Sequence, residues 1–347
     1  MSIEDIDKAF RFIDKHVFHG YMNVDSASVL DVQYVGGDIL VVDRKTIDES
    51  ISLLHRIFGN TFAEIKHGVQ SNLVGSKDRI KHLVSRFGKS IGTSEEFGTS
   101  HRMVGGSSTI YQRGLDSSLG TLKVYGIRPG CIYVLMPDTM DGLIPFLDMV
   151  QKKRRYPKVV IRHVFDGGIK GMDSVSVDML LEALIKSFDN WFLKADYLLE
   201  PHWIFLDRLL HKPVNRHQCI SGCPFQRDCV RRSIDLEPNG DIYLCLDMAD
   251  SGNMKIGNAL DGTLNIQVVH DLERRIESID KECFSCPAYT VCQGGCMNES
   301  VNMLGNHLAK SPYCKAWKGM VHHIQNRLSC ESMDQVVSWM KKVEEQF

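Results

Sequence analysis

The chain has 347 residues, 43% of them hydrophobic, which is enough for one large core or for a medium core and a smaller one. Lys plus Arg total 41 and Asp plus Glu 43, a formal net charge of −2, which excludes the basic excess that draws a protein onto nucleic acid. No stretch approaches the roughly 18 consecutive apolar residues of a membrane span, and Met1-Ser2-Ile3-Glu4-Asp5 has no positive run ahead of an apolar one, so a cytoplasmic protein is expected.

Ser2 and Asp5 have capping-box spacing, and Ile3, Ile6, Phe10 and Ile13 recur at helical intervals, which predicts a helix over 2–16. A strand over 29–35, closed by Gly36-Gly37-Asp38, precedes a helix over 46–58. Further strands are predicted at 65–70, 90–93, 131–136 and 158–165, alternating with helices at 78–87, 117–125, 140–152 and 177–192. Strands separated by helices of this length form right-handed βαβ units, so the class is α/β with a parallel sheet. The run Lys152-Lys153-Arg154-Arg155 falls at a predicted helix end, where cations complement the dipole; no nucleic-acid partner is implied.

Over 197–213 the alternation stops, and Pro201, His202, Trp203 and Pro213 predict a crossover into a second unit. That unit opens with a hairpin, 233–236 and 241–244, joined at Pro238-Asn239-Gly240, and closes with helices over 315–328 and 333–345. Trp317, Met320, Val321 and Ile324 share one side of the first of these helices.

Ten of the 11 cysteines follow residue 218, and clustered thiols in a chain without an export signal point to metal rather than disulfides. Short gaps bring several thiolates to one point and long gaps bring partners from elsewhere, as iron–sulfur clusters need. A two-zinc module, with Cys283-x2-Cys286 opening one tetrahedral site, is the alternative.

The order Cys223-x5-Cys229-x10-Gly240-x4-Cys245, then Cys283-x2-Cys286-x5-Cys292-x3-Cys296-x17-Cys314, resembles the SPASM domain of radical S-adenosyl-L-methionine (radical SAM) enzymes. The spacing is most similar to that of anaerobic sulfatase-maturating enzymes, and Pro238-Asn239-Gly240-Asp241-Ile242-Tyr243, Ile256-Gly257-Asn258 and Gly294-Gly295-Cys296 resemble the family's accompanying motifs. The resemblance implies two 4Fe-4S clusters, the first on Cys223, Cys229, Cys245 and Cys296, the second on Cys283, Cys286, Cys292 and Cys314. Eight thiolates over two clusters leave no open iron, so electron transfer, stabilisation of the fold and shaping of a peptide-binding surface are the available roles. Cys219 reads as a plain buried or exposed cysteine rather than a spare or backup ligand beside the first set, Cys131 as a core thiol and Cys330 as having no role, with His211 and His217 as surface or packing residues.

The first half resembles a radical SAM partial barrel. Gly36, Gly37 and Asp38 stand where the family has a Gly-Gly-Glu that binds the amino group of S-adenosyl-L-methionine (AdoMet); Gln70-Ser71-Asn72 resembles its Gln-Thr-Asn, and Ser94 and Arg102 fall where it has AdoMet contacts. The family's CxxxCxxC loop has no counterpart, because no cysteine precedes Cys131, and Cys219-x3-Cys223 lies far downstream of the Gly-Gly-Asp. Without that loop's cluster the resemblance implies no 5′-deoxyadenosyl radical, which makes AdoMet a doubtful cofactor and leaves Gly36, Gly37, Asp38, Ser94 and Arg102 as a vestigial site.

The expected fold is therefore an α/β partial (β/α) barrel of radical SAM type lacking its first strand (1–200), a linker (201–218) and a small C-terminal iron–sulfur SPASM domain with closing helices (219–347). Two origins fit: a degenerate family member, or an N-terminally shortened enzyme. The Ser2 capping box, the Asp at 38 and Leu73 in place of a frequent Gly favour the first. The family's base follows the hairpin cysteine directly, whereas here Leu246 intervenes and Asp247 could serve only if the strand bulges. An absent first strand bares the edge of 29–35, and the expected partner there is a substrate peptide or a complete radical SAM enzyme. The expected function is an auxiliary iron–sulfur protein in peptide or natural-product modification, against a shortened radical SAM enzyme or a structural interaction protein.

Overall fold

The computed structural model describes residues 1–95, 101–168, 173–210, 223 and 225–346. In chain order the first elements are α1 (Ile3–Phe12), β1 (Val29–Tyr34), α2 (Arg44–Phe58), β2 (Glu64–Gln70), α3 (Lys77–Phe87), β3 (Ile91–Ser94) and α4 (Ser108–Val124). There follow β4 (Gly130–Leu135), α5 (Leu143–Lys153), β5 (Lys158–His163), α6 (Val177–Trp191), β6 (Leu198–Glu200) and α7 (His202–Leu210). The remainder comprises β7 (Asp235–Leu236), β8 (Asp241–Tyr243), α8 (Leu246–Ser251), β9 (Gly257–Asn258), β10 (Thr263–Leu264) and α9 (Ile266–Glu273). Last come α10 (Arg275–Ser278), α11 (Lys281–Phe284), α12 (Tyr289–Cys292), α13 (Met297–Leu304), α14 (Cys314–Ser329) and α15 (Met333–Glu344).

Local chemistry sets the helix starts. Ser2 Oγ accepts from the Asp5 N–H at 3.1 Å while Asp5 Oδ2 accepts from the Ser2 N–H at 3.1 Å, closing the expected capping box on α1. The Asp43, Ser76 and Ser176 side chains cap α2, α3 and α6 by accepting from first-turn N–H groups. The strands form a six-stranded parallel sheet in the order β1-β2-β3-β4-β5-β6, with β1 in register on β2 from Val29↔Glu64 to Tyr34↔Val69.

Two elements depart from the sequence reading. The alternation continues past residue 197: β6 pairs with β5 over Leu198↔Lys158 to Glu200↔Val160, and α7 follows at once, so the sheet has six strands rather than the five expected. A three-residue strand is too short to show a period of two, and Pro201, read as a break, directly precedes the first helical turn, where a missing N–H costs nothing. Helix α4 starts at Ser108, nine residues before the predicted 117. Gly114 hides this start because it lowers helix propensity, yet a Cβ there would stand 2.8 Å from Val74 Cγ1, so close approach requires glycine.

The chain divides into two compact units. The first holds Met1–Gly92, Gly114–Ile127 and Asp228–Glu277. Its core includes Ile13, Phe18, Ile47, Leu54, Phe58 and Leu83, with Phe18 edge-on to Phe58 and Phe62. It also carries the antiparallel sheet β10-β9-β8-β7, whose β7–β8 turn at Pro238-Asn239-Gly240 is locked by Asn258: its Nδ2 donates to Asn239 O at 3.1 Å and to Asp241 Oδ1 at 2.8 Å. The second unit holds Thr93–Arg113, Arg128–Arg227 and Ser278–Phe347. Trp191, Phe188, Phe192 and Trp339 interlock at its centre, and Arg154 and Arg155, at the end of α5, pair with Asp196 and Glu95. No helix among the described residues is long and apolar enough to cross a membrane.

Candidate metal centre

All four cysteines of the expected second set lie in the second unit and line one cavity: Cys283 on α11, Cys286 just beyond it, Cys292 at the end of α12 and Cys314 at the start of α14. Glu282, Tyr289, Gly294, Lys310, Trp317 and Lys318 complete the lining. Burial pushes the Cys292 thiol up to about 11, the Gly294 backbone N–H donates to it and pulls the other way, and Cys314, Cys286 and Cys283 add smaller upward pushes. Cys314 is also raised by burial, against the pull of Lys318 and Lys310. Such mutually repelling thiols are stable as thiolates only when a cation replaces their protons.

The turn after Cys292 is left-handed at three successive residues, Gln293 (φ 48°), Gly294 (φ 85°) and Gly295 (φ 74°). This folds the Gly294 N–H back onto the sulfur. The buried Arg208 of α7 donates to the Val291 carbonyl at the end of α12, fixing that turn from behind. Glu299, 1% exposed on α13, accepts from Ser311 Oγ. Ser311 in turn donates its N–H to Gly294 O at 2.8 Å, and its Oγ and carbonyl accept from the Tyr313 and Cys314 N–H groups, both at 3.0 Å. His163 Nε2, at the C-terminal end of β5, lies 3.1 Å from Glu299 Oε1 but out of line for a hydrogen bond. Glu299 thus ties the Cys292 turn to the Cys314 turn.

Among the described residues, no group of three or more His, Cys, Asp or Glu side chains is arranged to hold a metal ion. The donor set nonetheless fits a cluster: four thiols on one cavity, with a backbone N–H already donated to one sulfur. Cys229 and Cys245 of the first set belong to the first unit, Cys223 and Cys296 to the second. Cys229 opens a 3-10 turn, while Cys245 and Cys296 occupy the N-cap positions of α8 and α13. Cys219, His211 and His217 lie outside the described residues. Cys131 is buried in β4, and Cys330 is exposed at the end of α14.

In the first unit two expected AdoMet contacts stand together. Gly36 takes φ 93° and turns the chain so that Asp38 Oδ1 accepts from the Leu40 N–H at 2.9 Å and Ser71 Oγ at 3.0 Å, while Oδ2 accepts from the Asn72 N–H at 2.8 Å. Leu73, fully buried at φ 58°, closes the second loop. The pairing of Asp38 with Ser71 was readable in principle, since both follow the C-terminal ends of neighbouring parallel strands. Ser94 and Arg102 belong to the other unit and have partners of their own, and the Ser94 carbonyl accepts from Tyr111 Oη at 3.4 Å. Asp247 does not sit on a bulge, because the chain turns into α8 directly at Cys245 and places this half-buried carboxylate in the first helical turn. Burial, then Glu237, Asp250 and Asp247, push nearby Asp235 up to about 7. The sequence reading did not find Glu299, Ser311 and His163, and it took Trp317 only as a packing residue.

No family model matches the chain, and no curated protein matches it. Solved structures do. A structure of hexahistidine-tagged anSMEcpe with bound AdoMet, an anaerobic sulfatase-maturating enzyme, aligns over 99% of this chain and 90% of its own at TM-score 0.72 and 15% identity. Native anSMEcpe with AdoMet and a Kp18Cys peptide aligns over 95% and 90% at TM-score 0.70 and 15% identity. Streptococcus suis SuiB bound to precursor peptide SuiA aligns over 91% and 69% at TM-score 0.56 and 14% identity. At these identities the likeness is one of fold: an α/β partial barrel of radical SAM type followed by a SPASM-like C-terminal region.

Proposed function

We propose that this chain is an auxiliary iron–sulfur protein of peptide modification, carrying two 4Fe-4S clusters and starting no radical of its own. The observation that carries the reading is the cavity lined by Cys283, Cys286, Cys292 and Cys314, the four thiols that the family resemblance assigns to one cluster. A bound cluster would supply one-electron transfer. The chain's own part is to gather the thiols, to donate the Gly294 N–H to Cys292 and to hold both cysteine turns through Ser311 and Glu299. Cys223, Cys229, Cys245 and Cys296 are proposed for the other cluster on the resemblance to the SPASM pattern. A peptide or protein partner is proposed along the outer edge of β1, an edge strand of the sheet with Val29 46% exposed. The anSMEcpe and SuiB structures with bound peptides support the peptide class of partner.

A second reading, a radical SAM peptide-modifying enzyme, is favoured by the Asp38, Ser71 and Asn72 contacts, which bring expected AdoMet-site residues together. One experiment separates the two. The chain is reconstituted without oxygen, iron and sulfide are counted, and AdoMet is added with a strong reductant. The auxiliary reading expects about eight irons and no 5′-deoxyadenosine. About twelve irons with AdoMet cleavage would overturn it in favour of the enzyme.

A further inference from the structure

We propose that Trp317 is a hydrogen-bond donor to the sulfur of the second cluster and raises its reduction potential; this rests on the reading of the cavity as a cluster site. Trp317 lines the cavity together with the four thiols and is 2% exposed. It lies three residues after Cys314 on α14, so both side chains leave the same face of the helix. The ring is wedged edge-on against Phe225, with centroids 5.0 Å apart, and against His163 at 5.5 Å.

Its indole Nε1 is buried and has no hydrogen-bond partner among the described residues. Trp191 and Trp339 show how this fold ordinarily treats an indole: each donates to a backbone carbonyl at 2.8 Å, Tyr197 O and Ala195 O. A buried N–H without an acceptor costs about 1–3 kcal/mol, so an orphan on the wall of a thiol-lined cavity marks an acceptor that occupies the cavity. The nearby backbone is shaped to leave room, since a Cβ on Gly295 would come within 3.5 Å of Nε1. Sulfur, as thiolate or cluster sulfide, is the acceptor this donor set provides. An N–H donated to sulfur favours the more negative, reduced state, so it eases the arrival of one electron without making or breaking a covalent bond.

The test compares reconstituted full-length protein with Trp317→Phe, which keeps the ring packing and removes the N–H. The second cluster's signal is assigned as the one lost in Cys292→Ala, and both proteins are titrated redox-potentiometrically by electron paramagnetic resonance. The expected result is unchanged iron content, a second-cluster midpoint shifted to more negative potential and an unmoved first cluster; an unmoved second midpoint overturns the proposal. Should the variant fail to fold, wild-type protein labelled with indole-15N tryptophan gives the same decision by electron–nuclear double resonance. A 15N coupling to the reduced second cluster is expected, and its absence overturns the proposal. If Cys292→Ala costs no iron, the cavity reading falls and takes the proposal with it.

Discussion

Gly295→Ala tests the architecture of the centre most directly. The residue takes φ 74°, and a Cβ would stand 2.4 Å from Ser311 Cβ and 3.1 Å from its Oγ. Left-handed backbone costs a non-glycine residue about 1 kcal/mol, and overpacking adds about 1–3 kcal/mol. Ser311 has nowhere cheap to go, because its Oγ is held by Glu299 and its N–H by Gly294 O. The expected destabilisation is therefore about 2–4 kcal/mol. Gly252→Ala is the control: φ is 70° at the end of α8, but its Cβ would meet nothing within 4 Å, so only the backbone strain of about 1 kcal/mol applies. The assay is urea unfolding of both variants beside wild type, with iron counted after anaerobic reconstitution. Gly295→Ala should lower the midpoint by at least twice as much as Gly252→Ala and lose about half the iron, the second cluster's share. Equal midpoint shifts would refute the steric argument, and full iron content would refute the link from Ser311 to the cluster turns.

Three further outcomes are expected. His202 is fully buried beside Phe188, shares a 2.7 Å hydrogen bond between its Nε2 and Ser187 Oγ, and burial holds its pKa down to about 3 against 6.5 when exposed. The folded-state value is the depressed one, so the unfolded chain takes up the proton first and stability falls with pH below 6.5. Between about pH 7.5 and pH 5.5 this contributes about 1.4 kcal/mol of lost stability. His202→Phe should abolish that share of the slope in denaturant unfolding at the two pH values, and parallel curves would contradict it. Glu299→Ala should destabilise by about 1–3 kcal/mol, because the buried Ser311 hydroxyl loses its acceptor. Glu299→Gln, which retains an acceptor oxygen, should cost clearly less in urea unfolding, and equal losses would sink the assignment. Asp38→Ala strands three donors and should cost about 2–3 kcal/mol in protein free of AdoMet, whereas an unchanged midpoint would remove Asp38 from the fold's support.

Helices were legible where a wide apolar stripe met a polar cap, as in α1, α2, α3 and α6, because both signals are local. Strand β6 was not, since its three residues gain their identity only by pairing with β5. The cysteine pattern was legible because its spacing is a property of the chain; the division into two sets came from the family resemblance, and the four cysteines of the second set line one cavity. The Glu299 network was not. Its members, His163, Glu299 and Ser311, are 136 and 12 residues apart and share no motif, so only tertiary packing brings them together. Trp317 shows the intermediate case: the stripe of apolar residues on α14 marks it as buried, but whether an indole N–H finds an acceptor depends on what packs around the ring.

Asp38 shows why a matching motif is weaker testimony than a matching donor set. Its carboxylate takes three hydrogen bonds from the protein, capping the short turn after β1 and gripping the loop after β2. A carboxylate so employed supports the shape of both loops whether or not AdoMet binds, so its contacts favour the enzyme reading less than a gathered donor set would. The same cannot be said of Cys283, Cys286, Cys292 and Cys314. Burial and then neighbouring thiols raise the proton affinity of Cys292 and Cys314, so gathering them does nothing for the apo fold. An arrangement that penalises the empty protein and is relieved by a bound cation is the better evidence of use. The cysteines therefore bear more on function than the first-unit loops, whose role is decided by whether AdoMet protects Asp38→Asn as well as it protects the wild type.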